Sequence, residues 1–341
     1  MVKWLKGNNK PKDIVVSTRI RLARNIEDFL FPEIMTIESA NEVINRVRDS
    51  IIEGNTILSR EFDFFRTKEI SPLDRQVFVE KHIISPGLIS NPEKSAFLLR
   101  KDEKVTVMIN EEDHIRIQVL LPGIELEEGW DLCSKIDDVI EENVKYAFDE
   151  KLGYLTSCPT NVGTGMRASV MLHLPSLVMT GHINKVLQAV NQVGLTVRGL
   201  YGEGTDALGN LFQISNQTTL GETEEEIIEK LKKIVLQIID HEKESRQRLM
   251  NLKRIEVEDR IYRSLGILKN SRIITSKESM KLLSDVRMGI EMGIINDIDL
   301  EKINNLMILS QPASIQKYSG RGLNARERDI KRAEMIREYL K

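Results

Sequence analysis

Residues 114–121, His-Ile-Arg-Ile-Gln-Val-Leu-Leu, place the tightest constraint on the fold. Polar–apolar alternation from His114 to Val119 is the period of a β-strand. Ile115, Ile117, Val119 and Leu121 take one face, and His114, Arg116 and Gln118 share the other. Such a strand belongs to a sheet with one packed face and one polar face. Residues 14–25 begin as a second strand and put Arg19 and Arg21, two apart, on one side; 95–101 and 104–110 read as a hairpin around Asp102-Glu103. A fifth strand is expected at 195–200.

Between these strands the apolar period changes to that of a helix. Ile37, Ala40, Val43, Ile44, Val47 and Ile51 line one face of 36–53, and Ser71-Pro72 opens a helix running to His82. Further helices are expected at 127–148 and 176–193. A long one starts at the capping box Thr223 to Glu226. The charged run 240–254 reads as an interdomain junction. The last ninety or so residues are helical in period, with a capping pattern at Asn324 and Glu327. The expected fold is α+β: an antiparallel sheet flanked by helices over 13–248, then a small all-helical domain over 255–341.

The 341 residues carry 49 basic and 52 acidic side chains, a net charge of −3. That balance argues against a general nucleic-acid or membrane-surface binder. No apolar run reaches the ~18 residues of a membrane span, and the polar N-terminus has no signal-peptide core. Two cysteines, Cys133 and Cys158, allow neither a disulfide framework nor a four-cysteine zinc site, which points to the reducing cytoplasm. The cations are unevenly mixed. Between residues 101 and 245 there are ten lysines but only three arginines, Arg116, Arg167 and Arg198. Lysine is the default surface cation there, so the arginines ask for another explanation.

Taken singly, each arginine is a surface ion-pair residue. Taken with Arg19 and Arg21, the three could form a cage for a polyanion, since guanidinium forks match phosphate oxygens. Walker A and the protein-kinase catalytic loop are both absent, so any ATP must be held by arginines and loop amides. Among the carboxylates of Asn110-Glu-Glu-Asp-His114, alternation puts Glu112 on the side of His114 and Arg116 and Glu111 on the other. Glu203, in a Gly-Glu-Gly turn, is free to project into a site. Cys158 precedes Pro159 in a polar loop and reads as a site thiol, whereas Cys133 sits in an amphipathic helix as a core residue.

Four segments, 17–25 (Ser-Thr-Arg-Ile-Arg-Leu-Ala-Arg-Asn), 110–116 (Asn-Glu-Glu-Asp-His-Ile-Arg), 158–164 (Cys-Pro-Thr-Asn-Val-Gly-Thr) and 197–203 (Val-Arg-Gly-Leu-Tyr-Gly-Glu), resemble in order the motifs of phosphagen kinases. The resemblance covers about residues 13–248 and implies a glutamine synthetase-like catalytic core. It implies that Arg19, Arg21, Arg116, Arg167 and Arg198 hold the ATP phosphates. Ser17, Thr18, Ile20, Ala168, Ser169, Gly199 and Gly202 would belong to the same nucleotide-binding motifs, and His82 would lie near the base. Glu112 and Glu203 would grip and activate a guanidinium, with Cys158 in contact with it, and Mg-ATP would be the phosphoryl donor without a protein-held metal.

Two departures narrow the resemblance. The N-terminal helical domain that precedes the first arginine motif in phosphagen kinases has no counterpart before Ser17, and Ala23 replaces a glycine of that motif. The whole chain resembles the bacterial protein-arginine kinases, and Arg328-Asp-Ile-Lys-Arg332-Ala is similar to their R-D-x-x-R-A motif. That implies a phosphoarginine pocket built on Arg328, Asp329 and Arg332. It also implies protein substrates, a zinc-binding activator, a stress-gene repressor, a Clp unfoldase–protease and a homodimer as associations. A free-arginine phosphagen kinase and a non-enzymatic phosphoarginine adaptor are the alternatives.

Overall fold

The computed structural model describes residues 2–6, 14–53, 57–199 and 208–341. Gly202 and Glu203 lie outside the described residues. The chain divides into two compact units, Ser17–Ser169 with Ser215–Leu231, and Met1–Val16 with Val170–Ile214 and Lys232–Lys341.

Along the chain come β1 (Val15–Arg24), α1 (Ile37–Ile52), β2 (Phe62–Arg66), α2 (Pro72–Glu80), β3 (Ala96–Arg100), β4 (Val105–Ile109), β5 (Ile115–Pro122), α3 (Leu126–Glu141), the small hairpin β6 (Phe148–Asp149) and β7 (Gly153–Tyr154), and β8 (Met166–His173). Later come α4 (Pro175–Met179), α5 (Ile183–Gln192), β9 (Leu195–Gly199), β10 (Leu211–Asn216), α6 (Glu224–Asn270), α7 (Ser276–Glu291), α8 (Leu300–Leu309), α9 (Pro312–Ser319) and α10 (Ala325–Tyr339). Eight strands form one sheet in the order β2-β3-β4-β5-β1-β8-β10-β9. The pairings from β2 through β1 are antiparallel. The expected antiparallel sheet with flanking helices is therefore present.

Register decides which side chains meet. β1 pairs with β5 so that Arg19 faces Leu120, Arg21 faces Gln118 and Ala23 faces Arg116. Side chains opposite one another in a ladder share a face, so Arg19, Arg21 and Arg116 project from one side. Ile20, Leu22, Ile117 and Val119 are buried on the other, where α3 packs on β5 and α1 on α3. Beneath the ladder Arg24 is buried. Its Nη2 lies 2.7 Å from Asp137 Oδ2 on α3, its Nη1 donates to Thr164 O, and its guanidinium stacks 3.5 Å from the Tyr154 ring centroid. Gly165 makes this approach possible. Its φ is +65°, and a Cβ there would fall 2.6 Å from both Ala23 O and Arg24 Nη1.

Three local expectations are corrected. The helix expected over 127–148 ends at Glu141, before a bridge at Tyr146 and the β6 strand. The helix expected over 176–193 is two, broken where Gly181 adopts φ +72°. The helix from Ser71 stops at Glu80, because His82 takes φ +61°. Residues 240–254 are part of α6, with non-helical backbone at Lys253 alone. Glu242 and Arg246 in that run are buried, not solvated.

Those two residues belong to an ionic cluster in the second unit. Glu242 caps α4 by accepting from the Ser176 and Leu177 N–H groups, and its Oε1 accepts from Arg246 Nε at 3.0 Å. Arg246 Nη2 reaches Glu291 Oε2 at 2.6 Å, and Arg287 Nη1 lies 2.5 Å from Glu291 Oε1. His173 on β8 completes the cluster, with Nδ1 3.3 Å from Glu291 and Nε2 2.8 Å from Ser284 Oγ. Burial and then Arg287 push the His173 imidazole down to about 4, so it is neutral at physiological pH.

Two predictions follow from these buried charges. Asp137→Ala leaves Arg24 without its counterion and costs about 3–5 kcal/mol in urea unfolding, whereas Arg24→Met/Asp137→Leu recovers most of the loss. The unfolded chain binds a proton at His173 near pH 6.5 and the folded chain only near 4, so this residue withdraws stability as pH falls across that interval. His173→Gln makes the fall in thermal midpoint between pH 7 and pH 4.5 measurably shallower.

Candidate active site

Arg21, Leu22, Ala23, Glu112, Arg116, Cys158, Thr160, Asn161, Gly165 and Arg167 line one cleft of about 70 Å³ in the first unit. β1 contributes Arg21, β5 Arg116, β8 Arg167, and the loops before β5 and β8 contribute Glu112 and Cys158. Ala23 sits opposite Arg116, and its small side chain leaves the cleft open there.

The cations are concentrated beyond what their acidic neighbours neutralise. Arg19 Nε and Arg21 Nε are shielded from solvent and have no hydrogen-bond partner among the described residues. Burial, then Arg116, lowers the Arg19 guanidinium to about 10. Burial, then Arg116, Arg19 and Arg167, pushes Arg21 down more strongly, and Glu111 offsets only part of this. A guanidinium stays protonated at neutral pH, so the shift measures electrostatic stress that a bound polyanion would relieve. His82 lies on the same side. Burial and then Arg19 drive its imidazole down to about 3, while its carbonyl accepts from Gln118 Nε2 at 2.9 Å.

The two adjacent glutamates have different environments. Alternation assigns Glu112 to the Arg116 side, but the strand begins only at Ile115, and residues 111–114 form a bend after Asn110 at φ +58°. Glu111 therefore reaches Arg116, with Oε2 2.5 Å from Nη1, and also accepts from Ser85 Oγ at 2.6 Å. Gly87 makes room for it, since a Cβ there would lie 2.5 Å from Glu111 Oε1. Burial raises the Glu111 carboxyl, but Arg116, Ser85 and the Glu112 N–H outweigh it and hold it below the usual range. Glu112 is half-exposed and raised, first by burial and then by the charges of Asp113 and Glu111. Glu111 anchors an arginine, and Glu112 is left to face the cleft.

His114 does not join the site face as alternation would have it. It is fully buried, with Nδ1 accepting from Ile26 N–H at 3.0 Å and Nε2 bonded to Leu30 O at 2.8 Å. Asp113 is the tie that sequence reasoning missed. Its Oδ1 accepts from Asn25 Nδ2 and from Ser157 N–H, both at 2.7 Å, joining the acidic bend to β1 and to the loop of Cys158. Cys158 Sγ lies 3.1 Å from Thr160 Oγ1 and is partly exposed; Cys133 is buried in α3.

The remaining expected residues are distributed as follows. Thr18 is buried, donates to Gly123 O and accepts from Glu125 N–H. Ser17 and Ile20 are buried in β1, as is Ala168 in β8, where Ser169 Oγ reaches Arg19 O at 3.4 Å. Arg198 and Gly199 lie on β9, in the second unit. Arg328, Asp329 and Arg332 are on α10. Arg332 is buried, with Nε to Ser310 O at 2.6 Å and Nη1 to Ile274 O and Asp329 Oδ1. Arg328 is half-buried, and its Nη1 donates to Leu323 O.

Among the described residues no three His, Cys, Asp or Glu side chains cluster as a metal site, and no helix is long and apolar enough to cross a membrane.

Comparison with known proteins gives concordant results. The profile of the ATP:guanido phosphotransferase C-terminal catalytic domain matches residues 42–245, and that of the protein-arginine kinase McsB C-terminal domain matches 254–341. The chain is 52% identical over 329 residues to a protein-arginine kinase of Caldanaerobacter subterraneus subsp. tengcongensis, covering 96% of this chain and 97% of that one. It is 51% identical to the protein-arginine kinase of Bacillus subtilis, covering 99% and 93%. Among solved structures it resembles the duplicated taurocyamine kinase of Schistosoma mansoni with bound transition-state analog components (TM-score 0.63, 28% identity, 69% of this chain and 34% of that one). It also resembles a lombricine kinase (TM-score 0.60, 25% identity, 71% and 70%). The chain belongs to the ATP:guanido phosphotransferase family and, within it, to the protein-arginine kinases.

Proposed function

We propose that the chain transfers the γ-phosphoryl group of ATP to the guanidinium of arginine side chains in proteins. The observation that carries this reading is the cluster of Arg19, Arg21, Arg116 and Arg167 with buried, unpartnered Nε atoms on Arg19 and Arg21, beside a half-exposed Glu112. Such a cluster is suited to a triphosphate and to the charge that spreads over a phosphoryl group in flight. Arg198 is assigned the same role on its motif, and Ser17, Thr18, Ile20, His82, Ala168, Ser169, Gly199 and Gly202 the shape of the nucleotide site. Mg²⁺ would arrive on the phosphates and supply charge neutralisation there.

In this mechanism a terminal guanidinium nitrogen forms a bond to the γ-phosphorus as the bridging bond to the β-phosphate breaks and ADP departs. The proton displaced from that nitrogen goes to a carboxylate. Glu112 fits this task because its surroundings raise its basicity, and Glu203 is its assigned counterpart. Cys158, in the same cleft, contacts the guanidinium and fixes its orientation. Residues 13–248 carry this chemistry, and 255–341 a phosphoarginine site on Arg328, Asp329 and Arg332, the last two bonded to each other. The protein works in the cytoplasm and as a homodimer, and family resemblance supports a zinc-binding activator, a stress-gene repressor and a Clp unfoldase–protease as partners.

The test is incubation with Mg-ATP and either free arginine or an unfolded protein, followed by detection of acid-labile P–N phosphate. Label on the protein alone supports the reading, and label on free arginine alone favours a phosphagen kinase. Glu112→Gln lowers kcat by about 10²–10⁴ with ATP affinity retained. In the parent chain kcat/KM rises with pH through the raised Glu112 ionisation, and that limb vanishes in the variant. Arg328→Ala removes phosphoarginine binding in calorimetry while leaving ATP binding intact.

A further inference from the structure

We infer that residues 26–38 are the docking surface for the polypeptide that carries the target arginine, and that they select extended segments both apolar and cationic. The inference rests on the kinase reading above for its substrate class, and on a separate set of contacts for its place.

Within this segment Leu30 is 62% exposed, Ile34 66%, Ile37 48% and Phe31 39%. Four large apolar side chains in eight residues are far more than the scattered exposure of an ordinary surface, and such patches mark binding sites. Nor is the segment loose. Pro32 and Met35 are buried, Ile34 and Met35 N–H both donate to Phe31 O at 3.1 Å, and Lys94 Nζ donates to Met35 O at 2.6 Å. Thr36, near the end of the segment, caps α1. The chain thus spends inward contacts on fixing a knuckle whose outward side chains touch little.

The charge of the knuckle matches the proposed occupant. Residues 26–38 contain Glu27, Asp28, Glu33 and Glu38 and no lysine or arginine. Glu27 is paired with Lys145, and Asp28, Glu33 and Glu38 are exposed. An acidic rim around apolar side chains attracts a cationic, apolar peptide and repels acidic ones.

The knuckle is also continuous with the cleft. His114 holds it through Ile26 N–H and Leu30 O, and packs between the Phe29 and Phe31 rings at 6.1 and 6.5 Å. Two residues earlier in the chain stands Glu112, and Asp113 between them binds Asn25 and the loop of Cys158. A polypeptide lying on Leu30 and Ile34 would therefore be held by the same bend that presents the carboxylate. The cleft that holds Glu112 and Cys158 would take the guanidinium, and recognition of the rest of the substrate falls to a surface outside it.

The experiment uses the full chain without ATP and two labelled, unstructured peptides, each with one central arginine flanked by Leu and Phe or by Ser. Fluorescence anisotropy is expected to give tighter binding of the apolar-flanked peptide. Leu30→Ser/Ile34→Ser raises its Kd about tenfold, equivalent to about 1.4 kcal/mol, and leaves the Ser-flanked peptide unchanged. Asp28→Lys/Glu33→Lys weakens binding and flattens its dependence on salt. In kinetics Leu30→Ser/Ile34→Ser raises KM for an unfolded protein while kcat and KM for ATP hold. Equal peptide affinities in parent and variant overturn the inference, as does dissociation of a self-associated form by the variant with peptide Kd unchanged. If peptide binding is lost in the variant but the parent chain phosphorylates no protein, the kinase reading fails and the docking surface stands.

Discussion

Everything at the candidate site depends on holding four guanidinium groups together against their mutual repulsion. Among the described residues Glu111 enters the cluster as a strong partner, and it is committed to Arg116. Flexible loops would let such charges swing apart into water. The sheet prevents this, because Arg19 and Arg21 are two residues apart on β1 and Arg116 is locked beside them by the β1–β5 register. Arg24, one position out of phase, is turned to the opposite side and paired with Asp137. A single-residue slip would exchange those roles, putting a paired arginine in the cleft and unpaired ones in the core. The buried pair thus makes the slipped register costly.

The contrast between Glu111 and Glu112 shows how local geometry separates adjacent, chemically identical groups. Glu111 is surrounded by donors and stays strongly acidic. Glu112 sees burial and two neighbouring anions, and becomes the more basic of the two. Neither environment is a property of the glutamate itself. Both follow from the bend at Asn110 and from the bond between Asp113 and Ser157.

Much of this was legible in the residues. Alternation placed Arg19 and Arg21 on one face of their strand and Arg116 on the polar face of another, and the polar loop around Cys158 marked that thiol as a site residue. What was not legible depended on partners distant in sequence or on backbone geometry. Alternation extended through His114 does not reveal that Glu111 pairs with Arg116, since the strand starts one residue later. His114 is buried because Ile26 and Leu30 satisfy it from 84 or more residues away. The charged run 240–254 reads as a junction between domains, with nothing in it to mark which of its charges are buried. That Glu242 and Arg246 are buried follows from Glu291, 45 residues beyond Arg246. Arg332 likewise looks like a rung of a surface ladder until Ser310 O and Ile274 O are brought to it.

That ionic cluster bears on how the family's two sequence profiles relate to the physical molecule. One profile ends at residue 245 and the other begins at 254, a division that suggests a catalytic module with an appendix joined to it. His173 and Glu242 fall under the first, and Arg287 and Glu291 under the second, yet all four meet in one buried cluster around Arg246 and Glu291. The apolar core around them also mixes the two, from Met171 and Leu211 to Val286 and Ile336. Neither stretch could be exchanged for that of an unrelated relative without leaving naked charge in a dry interior. The seam between the profiles is genealogical, and in the folded chain the two inheritances have become mutually dependent.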